Sequence, residues 1–402
     1  MQFVTLVKWC CTRLLLLGFF ICFNSAAAKQ KAPSVSPYVY KKLSQVEKQI
    51  GKKAYSNAKQ ELKKLLKNVD GYERAVVLRS LSSLYALQEN YKEAANMLKQ
   101  ALALNALPPE QTLQARLNLA QLYMATGQYA LAIKTLPQTS HLDASTAAML
   151  ANAYAQLKQY RKALPHIKRA IQQSKKPPQS WYQLNLALYY ELDDYHSAAR
   201  LLKKLMQLYP DNDEYWAQFA SVLQQLKHYK KAASVQYLRY LSGRLKSEKE
   251  QLNLINLITY IGAPYKAGRL LQQGFNNGSI RQTAKNWETL ANLWQMAKES
   301  DLAITALNKA SSLSPKGKLY LQLAQIHVEQ ENWPKAIAAA QKALQKGGLR
   351  NPGQAYMLLG ISQYEAGHRK AALKAFQRAA NYRKQKRVAQ QWIDYLRSEK
   401  SL

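Results

Sequence analysis

Apolar positions along this chain fall in a pattern that returns about every 34 residues between Ala75 and Lys384. A bulky residue is followed by Leu and a small residue, then by Tyr or Trp one turn on. After a polar break come Ala, Leu or Phe, and a second Ala. Steps of three and four residues are the spacing of one stripe on an α-helix, so each copy predicts two short amphipathic helices. Neither can bury its stripe alone, and the copies must stack. Nine copies occur in tandem, the cleanest being Trp287, Leu290, Ala291, Trp294, Ala303, Leu307, Ala310 and Pro315.

This pattern resembles the tetratricopeptide (TPR) consensus at all eight of those positions. The resemblance implies an all-α chain of tandem TPR helix-turn-helix units forming a right-handed superhelical solenoid. Small residues are expected at the start of each second helix, where the pair approaches most closely: Ala94, Ala132, Ala163, Ala198, Ala232, Ala303, Ala336 and Ala372, with Gly268 in that place in the sixth unit. Tyr85, Tyr123, Tyr154, Tyr189 and Trp294 fill the space opposite. Prolines such as Pro108, Pro177, Pro210 and Pro315 end units because proline lacks the N–H that continues a helix. These stripes are core and say nothing about a partner.

Residues 1–28 read as a signal peptide, 29–37 as a basic linker and 38–74 as a degenerate TPR-like helix pair. Residues 75–384 hold the nine units, and 385–402 a C-terminal capping helix and tail. Residues 261–283 interrupt the sixth unit with Gly262, Pro264, Gly274 and Gly278. They mark either a bend between two sub-solenoids or ordinary repeat drift. In the leader, Lys8 and Arg13 precede a ten-residue apolar run, and Ala26–Ala28 supply small residues for a peptidase. The expectation is export to a periplasm with cleavage near Ala28; an uncleaved inner-membrane anchor is the alternative. Cys10, Cys11 and Cys22 all lie in this leader, which leaves a mature chain without disulfides or thiolate metal sites.

Charge changes the picture further. The chain carries 58 Lys and Arg against 24 Asp and Glu, a formal charge of +34 that becomes +32 once Lys8 and Arg13 are removed. Such an excess attracts anionic partners, although basic outer faces also keep repeat proteins soluble. The bias is strongest from Lys29 to Lys67, and Lys52, Lys53, Lys63 and Lys64 form a candidate basic patch. Export argues against nucleic acid, leaving an anionic lipid, an envelope polymer or an acidic protein segment as partner. No cofactor and no metal are expected. The six histidines are isolated and no nucleophile elbow or phosphate loop occurs, so the chain reads as a non-enzyme.

In TPR proteins, certain positions of the first helix face the groove. Here they place Arg79, Gln121, Asn152, Gln156, Gln183, Glu191, Gln224, Gln225, Asn253, Asn292, Gln295 and Gln325 as candidate groove-binding residues. Carboxamides both donate and accept hydrogen bonds, so a row of them suits the backbone of an extended peptide; the same residues also make ordinary solvated helix faces.

The second half carries a narrower likeness. Pro264–Ala267, Gly274, Gly278–Ile280, Lys346–Leu349, Asn351–Gly353, Leu358–Ile361, Tyr364–Gly367, Ala375–Phe376, Gln391–Trp392 and Tyr395–Leu396 resemble the periplasmic TPR proteins associated with TonB-type energy-transduction systems of gammaproteobacteria. That resemblance implies a scaffold for protein partners, an accessory of TonB, ExbB and ExbD in iron-chelate transport. The alternatives are a basic protein gripping cell wall or lipopolysaccharide, or an accessory of secretion or polysaccharide export. The export reading has a direct check: N-terminal sequencing of the protein from a periplasmic fraction is expected to begin near Lys29, and an intact Met1 in membranes would overturn it.

Overall fold

The computed structural model describes residues 33–136 and 142–398. The leader 1–28 with its three cysteines, His141 and residues 399–402 lie outside the described residues. All regular structure described is helical, in twenty-one helices without a strand. The chain divides into two compact units between Lys204 and Leu205.

In the first unit α1 (Pro37–Gly51) pairs with α2 (Tyr55–Leu66), α3 (Gly71–Leu87) with α4 (Tyr91–Ala103), and α5 (Pro109–Ala125) with α6 (Tyr129–Thr135). There follow α7 (Ala144–Gln156) with α8 (Tyr160–Gln173), then α9 (Gln179–Glu191) and α10 (Tyr195–Leu208), whose last residues cross into the second unit. The second unit pairs α11 (Asp213–Gln225) with α12 (Tyr229–Leu241), α13 (Glu248–Tyr260) with α14 (Pro264–Asn276), and α15 (Ala284–Met296) with α16 (Ser300–Leu313). Next come α17 (Lys318–Glu329) with α18 (Trp333–Lys346) and α19 (Pro352–Glu365) with α20 (Arg369–Ala380); a single helix, α21 (Lys386–Ser398), closes the array. Each unit is a TPR-type solenoid. First helices also touch first helices, as α5 does α7 and α17 does α19, so they share one face of their unit.

The turn inside each pair is a repeated device. Lys53, Glu89, Gly127, Lys158, Asp193, Lys227, Gly262, Lys298, Glu331 and Gly367 all have positive φ, between 53° and 84°. The next residue's N–H then donates to a carbonyl five residues back, as Asn90 to Tyr85 at 2.9 Å and Glu299 to Trp294 at 2.8 Å. This is the Schellman closure of a helix, which satisfies a carbonyl otherwise orphaned at the C-terminus. Glycine is the usual occupant of that conformation, yet only three of these ten residues are glycine.

Five residues after each turn stands an alanine with no exposed surface: Ala58, Ala94, Ala132, Ala163, Ala198, Ala232, Ala267, Ala303, Ala336 and Ala372. The expectation for the sixth unit is therefore corrected, since Ala267 and not Gly268 holds the small-residue place. Gly268 has its own reason: a Cβ there would lie 2.9 Å from the Trp294 ring of the following pair. Nearby, Gly278 turns the chain at φ +73° so that Ile280 returns against Gly274, whose absent Cβ leaves it room. Across 261–283 the apolar core runs on without a gap, one cluster extending from Leu245 to Ala375. At the far end Trp392 of α21 stacks on Phe376 with ring centres 5.1 Å apart, and Ala389, Ile393 and Leu396 are buried beneath it.

One ion-pair network ties three helices of the second unit. Arg239 of α12, 4% exposed, donates to both carboxylate oxygens of Asp213 on α11 at 2.8 and 2.6 Å and to Glu250 on α13 at 3.4 Å. A two-pronged contact of this kind is both strong and geometrically selective. Glu250 is held in turn by a reciprocal cap with Ser247 at the start of α13. The bond from Arg239 holds the Asp213 carboxyl below its ordinary range, and the same bond raises the Arg239 guanidinium.

Two stability measurements follow. An L-residue in the left-handed region is strained by about 1–2 kcal/mol, part of which glycine's greater freedom in the unfolded chain offsets. Lys227→Gly is therefore expected to raise stability by about 0.5–1 kcal/mol in urea unfolding, and a loss would show that the turn is unstrained. Asp213→Asn should lower stability by about 1.5 kcal/mol, the low end for a charge-assisted bond, because Asp213 is 35% exposed and Glu250 remains. The sign with pH is set by the depressed carboxyl: its stabilisation is complete above the unfolded value of about 3.9 and is lost as pH falls through the lower folded value. An acid unfolding curve that the substitution leaves unchanged would remove Asp213 from the account.

Candidate peptide-binding face

The left-handed turn residue gives a ruler for comparing first helices. Six residues before it stand Glu47, Ser83, Gln121, Asn152 and Ala187 in the first unit, and Ser221, Asn256, Asn292, Gln325 and Ile361 in the second. Because first helices share one face, the polar ones form a row in each unit that ends at Ala187 and at Ile361. Gln121, Asn256, Asn292 and Gln325 are exposed and Asn152 is half-buried. Asn253 does not belong to the row. It lies three residues earlier, about 60° round the helix at 100° per residue, and Asn256 occupies the place.

The remaining candidates divide. Gln224 and Gln295 stand three residues before their turns, and Gln156, Glu191 and Gln225 two before. Gln224, Gln225, Asn292 and Gln295 are exposed and make no side-chain hydrogen bond among the described residues. Gln325 Nε2 donates to Glu329 at 3.5 Å, a weak tie, and Gln156 Nε2 donates to Asn152 at 3.4 Å. Gln183 is half-buried on α9. Glu191 accepts from the Tyr160 hydroxyl, and burial together with that carboxylate pushes the Tyr160 phenol up. Arg79 is committed to the fold: it donates to Gln111 Oε1 at 2.9 Å, and Gln111 donates to the Tyr72 hydroxyl at 3.1 Å. Burial pulls its guanidinium below the ordinary value, against a smaller opposing pull from Tyr72.

The four lysines of the expected basic patch are two separate pairs. Lys52 and Lys53 form the turn before α2, Lys53 being its left-handed residue, whereas Lys63 and Lys64 sit in the last turn of α2. The helix from Tyr55 to Lys64, ten residues at 1.5 Å each, puts the pairs about 15 Å apart. Lys64 also pairs with Glu61 at 3.8 Å, and Lys42 with the same carboxylate at 3.2 Å.

The charge has a different distribution, which sequence order alone hides. In the second unit the first helices carry three Lys or Arg against seven acids, and the second helices thirteen against Asp301 alone. The first unit has the same bias, six against four on first helices and thirteen against two on second helices. The first helices thus sum to +2 in the first unit and −4 in the second, and the second helices carry the positive excess in both.

Comparison with known proteins agrees with the repeat. The family model described as tetratricopeptide repeat matches residues 80–136 and 321–386. The model for anaphase-promoting complex, cyclosome, subunit 3 matches residues 158–235. The chain is a TPR-repeat protein. Solved structures similar to it include a tetratricopeptide repeat protein from Parabacteroides merdae, 15% identical over 69% of this chain and 94% of that one, with a TM-score of 0.39. Another is MamA from Desulfovibrio magneticus, 17% identical over 45% and 99%, with a TM-score of 0.38. A third is YrrB, described as a TPR protein with an unusual peptide-binding site, 13% identical over 48% and 98%, with a TM-score of 0.36. No curated protein matches the chain.

Proposed function

We propose that this protein is a non-enzymatic periplasmic scaffold that holds extended segments of partner proteins against its first-helix face. TPR repeats generally mediate protein–protein contacts, and the observation that carries the reading is the row Asn256, Asn292 and Gln325. These are exposed carboxamides on consecutive first helices, three helices that together carry three lysines against four glutamates. An extended segment laid across successive first helices presents an N–H and a C=O at nearly every residue. Carboxamides serve either its N–H or its C=O, which makes the contact tolerant of side-chain sequence.

The partner we assign is a component of a TonB, ExbB and ExbD system, on the strength of the motifs between Pro264 and Leu396. The leader-like pattern of residues 1–28 supports this reading, since export would bring the chain to the compartment of the periplasmic segments of TonB and ExbD. Calorimetric titration with those purified segments tests both parts. Asn292→Leu with Gln325→Leu removes two hydrogen-bonding side chains at about 0.5–1.5 kcal/mol each. The expected result is about tenfold weaker binding. An affinity unmoved by the double substitution would put the contact on another surface, and no binding to any of the segments would end the TonB assignment.

A further inference from the structure

We propose that the second-helix face of the second unit docks on an anionic lipid surface. This is a separate contact from the peptide face and does not rest on that reading. The second helices α12, α14, α16, α18 and α20 repeat basic residues at the same distances past their left-handed turns. Four residues on stand Lys231, Lys266 and Lys335; eleven on stand Lys309, Lys342 and Arg378. All six are exposed. None of the six has a carboxylate within ion-pair distance among the described residues.

Three of these cations also lie over aromatic rings. Lys266 Nζ stands 3.6 Å from the centre of the Tyr237 ring, Lys342 Nζ is 5.5 Å from that of Tyr320, and the Arg378 guanidinium carbon is 5.8 Å from that of Tyr356. A cation over an aromatic face is attracted by the ring's quadrupole while keeping its outer side free. The positive charge is spread over successive helices, with an aromatic ring beneath it on α14, α18 and α20.

The same positions decide between a lipid surface and a polyanion. Of the four places that are not basic, two hold exposed leucine, Leu302 of α16, 43% exposed, and Leu238 of α12, 53% exposed, and the others are Ala371 of α20 and Gln273 of α14. A polyanionic chain gains nothing from leucine set among lysines. A bilayer interface takes both, the cations at phosphate level and the apolar side chains at the acyl boundary. Charge complementarity with leucines in the cationic positions favours phospholipid over a nucleic acid or a sulfated polymer.

The test is lysine acylation footprinting of the full chain with vesicles of phosphatidylcholine, with or without phosphatidylglycerol. Lys335 and Lys342 are expected to be protected by the anionic vesicles only, and Lys249 and Lys285 on first helices to react as freely as in buffer. Lys8 and Arg13 beside the apolar run in residues 14–23 would draw the leader itself to anionic lipid, so the chain from Lys29 onward is run beside the full chain and must show the same protection. Protection should vanish at about 1 M salt, where the Debye length is about 3 Å. Lys335→Gln with Lys342→Gln should weaken binding to the anionic vesicles roughly thirtyfold, with an unchanged circular dichroism spectrum. Equal protection by neutral vesicles, or unchanged affinity of the variant, overturns the proposal. Protection by heparin with none by anionic vesicles overturns it in favour of a polyanion.

Discussion

Everything in this fold depends on the close approach of two helices at one alanine in each pair. Ala58, Ala94 and their eight counterparts have no accessible surface, so the backbones there are separated by little more than a methyl group. Side chains in a packed interior tolerate almost no added volume, and the approach therefore sets the angle at which each pair presents its remaining surface. The left-handed turn five residues earlier makes the approach reachable, because it reverses the chain within two residues while satisfying the helix's terminal carbonyls. Seven of the ten turns accept a strained non-glycine residue to do so. Packing between pairs evidently outweighs the strain, as it must where no pair is stable alone.

Once the inner stripes are spent on the core, each pair keeps two outward surfaces that packing does not constrain. The first helix shows carboxamides and little of the positive excess; the second shows lysine, arginine and an occasional leucine. Separation of this kind lets one array make two kinds of contact without interference. A carboxamide row can take a peptide by hydrogen bonds that salt scarcely affects, while a cationic face makes contacts that salt screens. Arg239 is the exception among second-helix cations: buried and bound to Asp213 and Glu250, it belongs to the junction between pairs and not to the charged face.

Much of the site's geometry was out of reach from residue order because it depends on register. Asn253 and Asn256 are equally good carboxamides on one exposed helix, and only the position of Gly262 tells which of them joins Asn292 and Gln325. The turn itself left little signal in the chain, since lysine, glutamate, aspartate and glycine all occupy it. The four lysines at Lys52 to Lys64 look like one patch because they are near in sequence, yet a helix of known rise holds the pairs apart. Arg79 reads as a groove residue by position, and one arm of its fork is held by Gln111.

The sequence by itself determined the helical class, the repeat length, the identity of the core stripes and the size of the charge excess. Each of these is local or additive: a period of three and four residues can only be a helix face, and a surplus of lysines is a surplus in any fold. Tertiary structure alone decided which residues share a face. Repeats bring side chains about 34 residues apart into neighbouring positions, and a shift of three residues moves a side chain by about 60° around its helix. Ala267 in place of Gly268, Asn256 aligned with Asn292 while Asn253 lies beside that row, and the gathering of positive charge on the second helices all follow from that rotation, which is set by how the pairs close on their alanines.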